Sequence, residues 1–82
     1  MNSFVCIHLW QALELYAVAE QYDSANVIML ANYAILLCEQ LGAGVEGAVA
    51  KGRTVLQKAE TIFGDAASSN GDILRARAAC DR

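Results

Sequence analysis

The stretch Ser24–Cys38, SANVIMLANYAILLC, decides the fold of this 82-residue chain. It carries no charge between Asp23 and Glu39. A helix that is apolar nearly all round has to be covered by other elements. The segments on either side of this stretch are suited to cover it, because each combines an apolar stripe with a polar face. The sequence therefore predicts a central helix from about Ala25 to Leu41, wrapped by its neighbours.

Two further long helices and one short helix are predicted around the central one. Residues 3–22 form the first, although the β-branched and aromatic residues between 4 and 10 would also suit a short strand. Helix is preferred there, because the sequence offers that strand no partner. Residues 45–63 form the third, and residues 73–80 form the short last helix. The predicted fold class is all-α, an antiparallel helical array of three long helices and one short C-terminal helix, in a single domain over 1–82.

Turn and cap residues fix where these helices break. Asp23-Ser24 supplies a turn and the cap of the central helix, since either side chain can accept from free amides of the next turn. Gly42 occupies the place of a left-handed C-cap, and Gly64 ends the third helix. Asn70 or Asp72 can cap the last helix. Breaks are therefore predicted near Asp23, Gly42–Gly44 and Gly64.

The apolar stripe of the third helix keeps a spacing of three and four residues. Its members are Val45, Ala48, Val49, Gly52, Val55, Leu56, Ala59, Ile62 and Phe63. Gly52 on this stripe predicts a close helix crossing, and Phe63 is assigned to the core. In the central helix, Asn26 and Asn32 interrupt the apolar run, and each amide needs hydrogen-bond partners if it is buried.

Cysteine and histidine usage argues against disulfide and metal support. Cys6, Cys38 and Cys80 are odd in number and widely spaced, which fits no disulfide framework and no paired metal site. Cys6-x-His8 alone is too small for a closed zinc shell, which needs four ligands. We therefore expect that neither a metal nor a disulfide supports the fold. Reduced thiols favour a cytoplasmic location.

Charge and hydropathy exclude two classes of partner. Residues 1–50 contain five acids and neither Lys nor Arg, whereas residues 51–82 contain six bases and four acids, which gives the net charge of −3. This sign disfavours nucleic-acid binding. No basic residue precedes the N-terminal apolar run, so no secretory signal is predicted. The uncharged stretch is shorter than the roughly 20 residues that a membrane helix needs, so no membrane partner is expected.

Two glycine motifs resemble nucleotide-binding loops without their context. Residues 42–47 match G-x-G-x-x-G, but a predicted helix precedes them where a strand is required. Residues 47–54 approach a phosphate-binding loop, but Arg53 stands in place of the lysine. We interpret these glycines as helix ends and packing positions. The sequence thus names no catalytic, cofactor-binding or metal residue and implies no cofactor, which leaves enzymatic activity open without favouring it.

Residues 12–55 resemble tetratricopeptide-type helical hairpins. Ala12, Tyr16 and Ala19 carry the small-aromatic-small pattern of that family, and Ala48, Gly52 and Val55 repeat it 36 residues later, against 34 in the family. Gly52 departs from the family's bulky residue, the turn proline is absent, and fewer than three repeats fit. The resemblance implies stacked helical hairpins and a protein-binding role.

The apolar fraction of 56% exceeds the roughly 45–50% that is usual for soluble domains. Surplus apolar surface on a small domain commonly marks an interface. We therefore expect a small helical protein-interaction module that forms a homodimer, with a further protein partner possible in principle. The predicted interface lies on the first helix, at Phe4, Ile7, Trp10 and Leu13. The alternative is a small ligand-binding or catalytic protein whose pocket forms between subunits.

Overall fold

The computed structural model describes residues 3–42 and 44–81, with side chains described from Trp10 onward. Its elements are α1 (Ser3–Tyr22), α2 (Val27–Ile35) with a π-helical continuation (Leu36–Gln40), α3 (Ala48–Phe63), a 3-10 segment (Gly64–Ser69) and α4 (Gly71–Cys80). The described residues contain no strand, and residues 4–10 belong to α1. The all-α class and the antiparallel packing of the longest helices are confirmed.

The central helix forms the core, as its composition predicts. Leu30, Ala31 and Ala34 are fully buried, and the π-helical segment adds three consecutive buried side chains from Leu36 to Cys38. The wider π turn is closed by a hydrogen bond from the Leu41 amide to the Leu36 carbonyl at 3.1 Å. Helices α1, α3 and α4 all pack on α2. The uncharged stretch is therefore covered from several sides.

The cap of α2 is Asn26, and the prediction that Asp23-Ser24 caps it is wrong. The Asn26 side-chain oxygen accepts from the Met29 amide at 3.0 Å. Its side-chain NH₂ donates to the Asp23 carboxylate at 3.0 Å. Asp23 supports the cap indirectly, because its carboxylate accepts a hydrogen bond from the Asn26 side chain that caps the helix. Asn26 thus lies exposed outside the helix, whereas Asn32 is half-buried within it.

The glycines before α3 have different roles from those predicted. Gly42 does not take the left-handed conformation; the positive φ angles belong to Gly47 (81°) and Gly64 (75°), which flank α3. Gly42 is instead required for space, because a Cβ there would lie 2.3 Å from the Cys38 carbonyl oxygen. The left-handed turn sits five residues later than expected, so α3 begins at Ala48.

The predicted stripe of α3 is buried as far as Ala59 and then leaves the core. Ala48, Gly52, Val55, Leu56 and Ala59 are buried. Ile62 and Phe63, in contrast, are 43% and 39% exposed. The assignment of Phe63 to the core is therefore wrong. Its position in the stripe is correct, but the last turn of a helix extends past the packed surface when its neighbours end earlier.

The expectation that no disulfide supports the fold is also wrong. Cys38 in the π-helical segment is bonded to Cys80 at the end of α4, with 5.0 Å between their Cα atoms. An odd number of cysteines does not exclude one bridge. A separation of 42 residues carries no local signal. A cross-link over such a loop stabilises a small domain by up to about 4 kcal/mol, chiefly by restricting the unfolded chain. Melting curves with and without reductant are thus expected to differ.

Polar contacts hold α4 against α3 beside the cross-link. The Arg53 guanidinium donates from Nε and Nη2 to the Cys80 carbonyl at 3.2 and 3.0 Å. This contact satisfies one of the terminal carbonyls that a helix leaves unpaired. Arg77 pairs with Glu60 of α3. The start of α4 is capped by Asn70, whose side-chain oxygen accepts from the Ile73 amide at 3.0 Å.

Gly52 makes the close helix crossing that the sequence predicts. It is buried, and a Cβ added to it would lie 2.4 Å from the Cys38 Sγ. The same Cβ would lie 3.2 Å from the Leu37 Cβ and 3.3 Å from the Ala34 carbonyl oxygen. The nearest of these atoms belongs to the disulfide and cannot rotate away. Helix α3 approaches α2 this closely because residue 52 has no side chain.

We predict that Gly52→Ala destabilises the protein. The added methyl group overpacks the crossing, which typically costs about 1–3 kcal/mol and outweighs the gain of up to about 1 kcal/mol in helix propensity. Chemical denaturation followed by circular dichroism measures the change. Gly71→Ala is the control, because no atom lies within 4 Å of its added Cβ. Equal or higher stability of Gly52→Ala than of Gly71→Ala would contradict the crowded crossing.

Candidate interaction surface

Helix α1 lies at the edge of the fold. Among its described side chains, residues 10–22, none is fully buried. Its inner face consists of half-buried residues, and Ala12, Leu13 and Tyr16 pack against the core. Helix α1 has 20 residues, whereas α2 has 9 and its π-helical continuation has 5. At a rise of about 1.5 Å per residue, α1 is therefore the longer element.

One aromatic stack and one charged cluster hold α1 in place. The rings of Tyr16 and Tyr33 are stacked, with centroids 5.5 Å apart and planes 9° from parallel. The Glu20 carboxylate lies 3.7 Å from the amino groups of both Lys51 and Lys58 on α3. Exposed ion pairs of this kind contribute about 0–1 kcal/mol each. The contacts of α1 orient the helix without enclosing it.

The outer face of α1 carries exposed apolar side chains, which we call the outer stripe: Trp10, Leu15, Val18 and Tyr22. Their side chains are 54%, 71%, 51% and 86% exposed, respectively. Leu15, Val18 and Tyr22 are three and four residues apart and so share one helix face, whereas Trp10 lies toward a neighbouring side of the helix. Gln11, Glu14, Leu15 and Val18 line an open depression of about 530 Å³. The chain thus presents large apolar groups on the helix that is least enclosed.

The predicted interface residues differ in how far their side chains are exposed. Trp10 is exposed, as an interface residue of an isolated chain should be, whereas Leu13 is half-buried against the core. The side chains of Phe4 and Ile7 lie outside the described residues. The sequence analysis missed Leu15, Val18 and Tyr22, although their spacing was visible. Helix α1 also carries a second apolar face, at Ala12, Tyr16 and Ala19, and the sequence alone does not show which of the two faces packs on the core. The interface itself stays a prediction.

The glycine turn before α3 forms a second depression, of about 480 Å³. Its lining residues are Gly42, Gly44, Val45, Glu46, Gly47, Val49, Ala50 and Arg53. A π-helical segment precedes this turn, where a dinucleotide-binding loop would follow a strand. The Arg53 guanidinium, which could otherwise bind an anion, already donates to the Cys80 carbonyl. The glycines of this turn serve to reverse the chain and to let the helices pack closely.

Metal-ligating side chains do not cluster in the described part of the chain. Within it, no three His, Cys, Asp or Glu side chains come together in a way that could hold an ion. The side chains of Cys6 and His8 lie outside the described residues. None of the described helices is both long and apolar enough to span a bilayer.

Comparison of the chain with protein-family models, curated proteins and solved structures finds no match. The resemblance to tetratricopeptide hairpins therefore stays a prediction. Its pattern residues Ala12, Tyr16 and Ala19 are half-buried on α1, and Gly52 and Val55 are buried on α3. Such positions are common to any packed pair of helices and do not discriminate between families.

We predict that Tyr33 ionises later than an ordinary tyrosine. Its pKa is raised above its usual value near 10, first by burial and second by the negative charge of Glu20. Absorbance titration of the phenolate should show a late component that Tyr33→Phe removes. Because the unfolded chain ionises first, this group costs stability as the pH rises above about 10.

A second variant separates the two causes of the raised Tyr33 pKa, burial and the charge of Glu20. Glu20→Gln removes the carboxylate charge beside the phenol and should move the late component to lower pH, while burial keeps part of the shift. If Tyr33→Phe removed absorbance from the early part of the titration instead, the ring would not be held in the buried position between α1 and the core.

Proposed function

We propose that this protein is a small helical protein-interaction module that self-associates as a homodimer through the outer stripe of α1. The proposal rests on the exposure of Trp10, Leu15, Val18 and Tyr22 on a helix that lies at the edge of the fold. Contiguous apolar surface on a small domain commonly serves association. A twofold symmetric dimer is the commonest closed assembly. Trp10 is the natural anchor, because Trp is enriched among the residues that dominate binding energy.

Charge supports a particular arrangement of the two copies. Residues 1–50, which include all of α1, contain acids without a single Lys or Arg. Packing α1 on α1 of a second copy would therefore bring like charges near one another. Packing α1 on the base-bearing second half of the partner would bring opposite charges together. We favour the second arrangement, for which affinity should fall modestly as salt screens the attraction.

A cytoplasmic location belongs to the same proposal on sequence grounds. The Cys38–Cys80 disulfide removes one of those grounds, since structural disulfides are rare in reducing compartments. We do not advance a ligand pocket between subunits, because no described feature favours it. The positively charged group that lines the depression at the glycine turn, the Arg53 guanidinium, already donates to the Cys80 carbonyl.

We predict that Leu15→Glu weakens dimerisation at least tenfold, about 1.4 kcal/mol, with little effect on folding. Leu15 is 71% exposed in the single chain, so the fold should change in stability by no more than about 0.5 kcal/mol. Ile28→Glu is the matched control, because Ile28 is 60% exposed on α2, outside both α1 and the base-bearing second half of the chain. Sedimentation equilibrium over a range of protein and salt concentrations measures both effects.

Two results would contradict the proposal. The wild-type chain could sediment as a monomer at every concentration, or the two variants could weaken association equally. Trp10→Ala adds an independent measure, because truncation of a buried anchor often costs about 2 kcal/mol or more. Ile28→Ala gives the comparison at an exposed apolar side chain outside α1 and outside residues 51–82.

A further inference from the structure

Cys38 and Cys80 join the central helix to the end of α4. The first lies in the π-helical segment of the central helix, and the second is the last residue of α4. Their Cα atoms are 5.0 Å apart, within the range that a disulfide requires. Both residues are buried, Cys38 at 9% exposure and Cys80 at 1%. The bridge therefore lies inside the fold and pins the end of the chain to its core.

The surroundings of the two sulfurs suit the reduced pair as well as the bridge. The Cys38 Sγ lies 3.8 Å from the Val49 carbonyl oxygen, and the Cys80 Sγ lies 3.8 Å from the Ala34 carbonyl oxygen. Reduction turns each sulfur into a thiol, which is a weak hydrogen-bond donor. Each sulfur therefore has a carbonyl oxygen nearby that an S–H group could use while α4 stays docked.

The two sulfurs differ in their freedom to separate after reduction. The Cys38 Sγ rests on Gly52, where an added Cβ would lie only 2.4 Å away. Its path toward α3 is closed. Reduced sulfurs need more room than bonded ones, because they return to van der Waals contact. The movement must therefore come from Cys80 and from α4, which carries it.

Helix α4 packs on the core mainly through small side chains. Among its buried side chains only Ile73 is large; the others are Ala76, Ala79 and Cys80. The Arg77 pair with Glu60 and the Arg53 contact with the Cys80 carbonyl add polar contacts that are partly exposed. Fixing the backbone of each residue opposes docking by about 1–2 kcal/mol. The covalent bridge therefore adds to a contact made by small side chains and partly exposed polar groups.

We infer that Cys38 and Cys80 form a reversible thiol–disulfide exchange site whose co-substrate is a dithiol reductant, and that their oxidation state sets how firmly α4 is docked. In the oxidised chain α4 covers the Ala34 and Cys38 side of the central helix. In the reduced chain α4 opens more often, and this apolar side becomes accessible. The inference does not rest on the proposed self-association, because the bridge lies within one chain.

The exchange proceeds in two balanced steps. A thiolate of the reductant attacks the sulfur of Cys38, the more exposed of the two residues, forming a mixed disulfide and releasing Cys80 as a thiolate that takes up a proton. The second thiol of the reductant then displaces Cys38, which also takes up a proton. Two electrons and two protons pass to the protein, and the reductant leaves as its own disulfide. Oxidation by a disulfide reverses both steps.

Hydrogen exchange of the full-length chain tests the inference. Cys6→Ser removes the third thiol, and the protein is compared after treatment with oxidised glutathione and with dithiothreitol. We expect the amides of residues 73–80 to exchange at least tenfold faster in the reduced protein, while those of residues 55–59 in α3 change less than twofold. A Cys38→Ala and Cys80→Ala double variant should exchange at the reduced rate with either reagent.

Three outcomes would overturn the inference. Peptide mapping after oxidation could show no linked 38–80 pair. Exchange in α4 could be the same in both states. Alternatively, the amides of α3 and α4 could accelerate equally on reduction, which would make the bridge a support of the whole fold. The wild-type background without the Cys6 change provides a second measurement if that variant does not fold.

Discussion

The close approach of α3 to the central helix at Gly52 is the constraint on which the rest of the structure depends. Residue 52 has no side chain, so the Cys38 sulfur and the Leu37 side chain can lie against the backbone of α3. The same sulfur is bonded to Cys80, which brings the end of α4 to this point. Three helices therefore meet around one missing side chain. A larger residue at 52 would displace the disulfide as well as the helix crossing.

The π-helical turn contributes to that meeting point. Segments of this kind are rare and are often found at functional positions. Here the wider turn carries three consecutive buried side chains, Leu36, Leu37 and Cys38. Cys38 lies against Gly52 and is bonded to Cys80. The bridge is thus anchored in a segment that departs from α-helical geometry.

The sequence predicts the features that depend on neighbouring residues, such as helices and their ends. It does not predict the features that depend on how the helices are placed in space, such as the disulfide and the exposed faces. The uncharged stretch, the crossing at Gly52 and the helix breaks were readable, because composition and periodicity report burial directly. The disulfide was not, since its cysteines are 42 residues apart and counting them cannot show which meet. The choice of Asn26 over Asp23-Ser24 as cap depends on a turn geometry that several polar residues can adopt. Phe63 and the outer stripe were misjudged because an apolar position in a helix does not show where the partner helix ends.

Helix α1 and α4 are attached to the core by contacts of different kinds. Helix α4 is held by buried side chains, of which only Ile73 is large, and by a covalent bond, whereas α1 is held by half-buried side chains, a ring stack and two ion pairs at 3.7 Å. Small domains bury too little surface to be strongly stable without added support. The bridge supplies that support at one end of the chain. At the other end, α1 exposes large apolar side chains, for which we propose association with a second copy as the corresponding support. A covalent bond at one end thus helps a small domain to stay folded while its first helix keeps these side chains exposed.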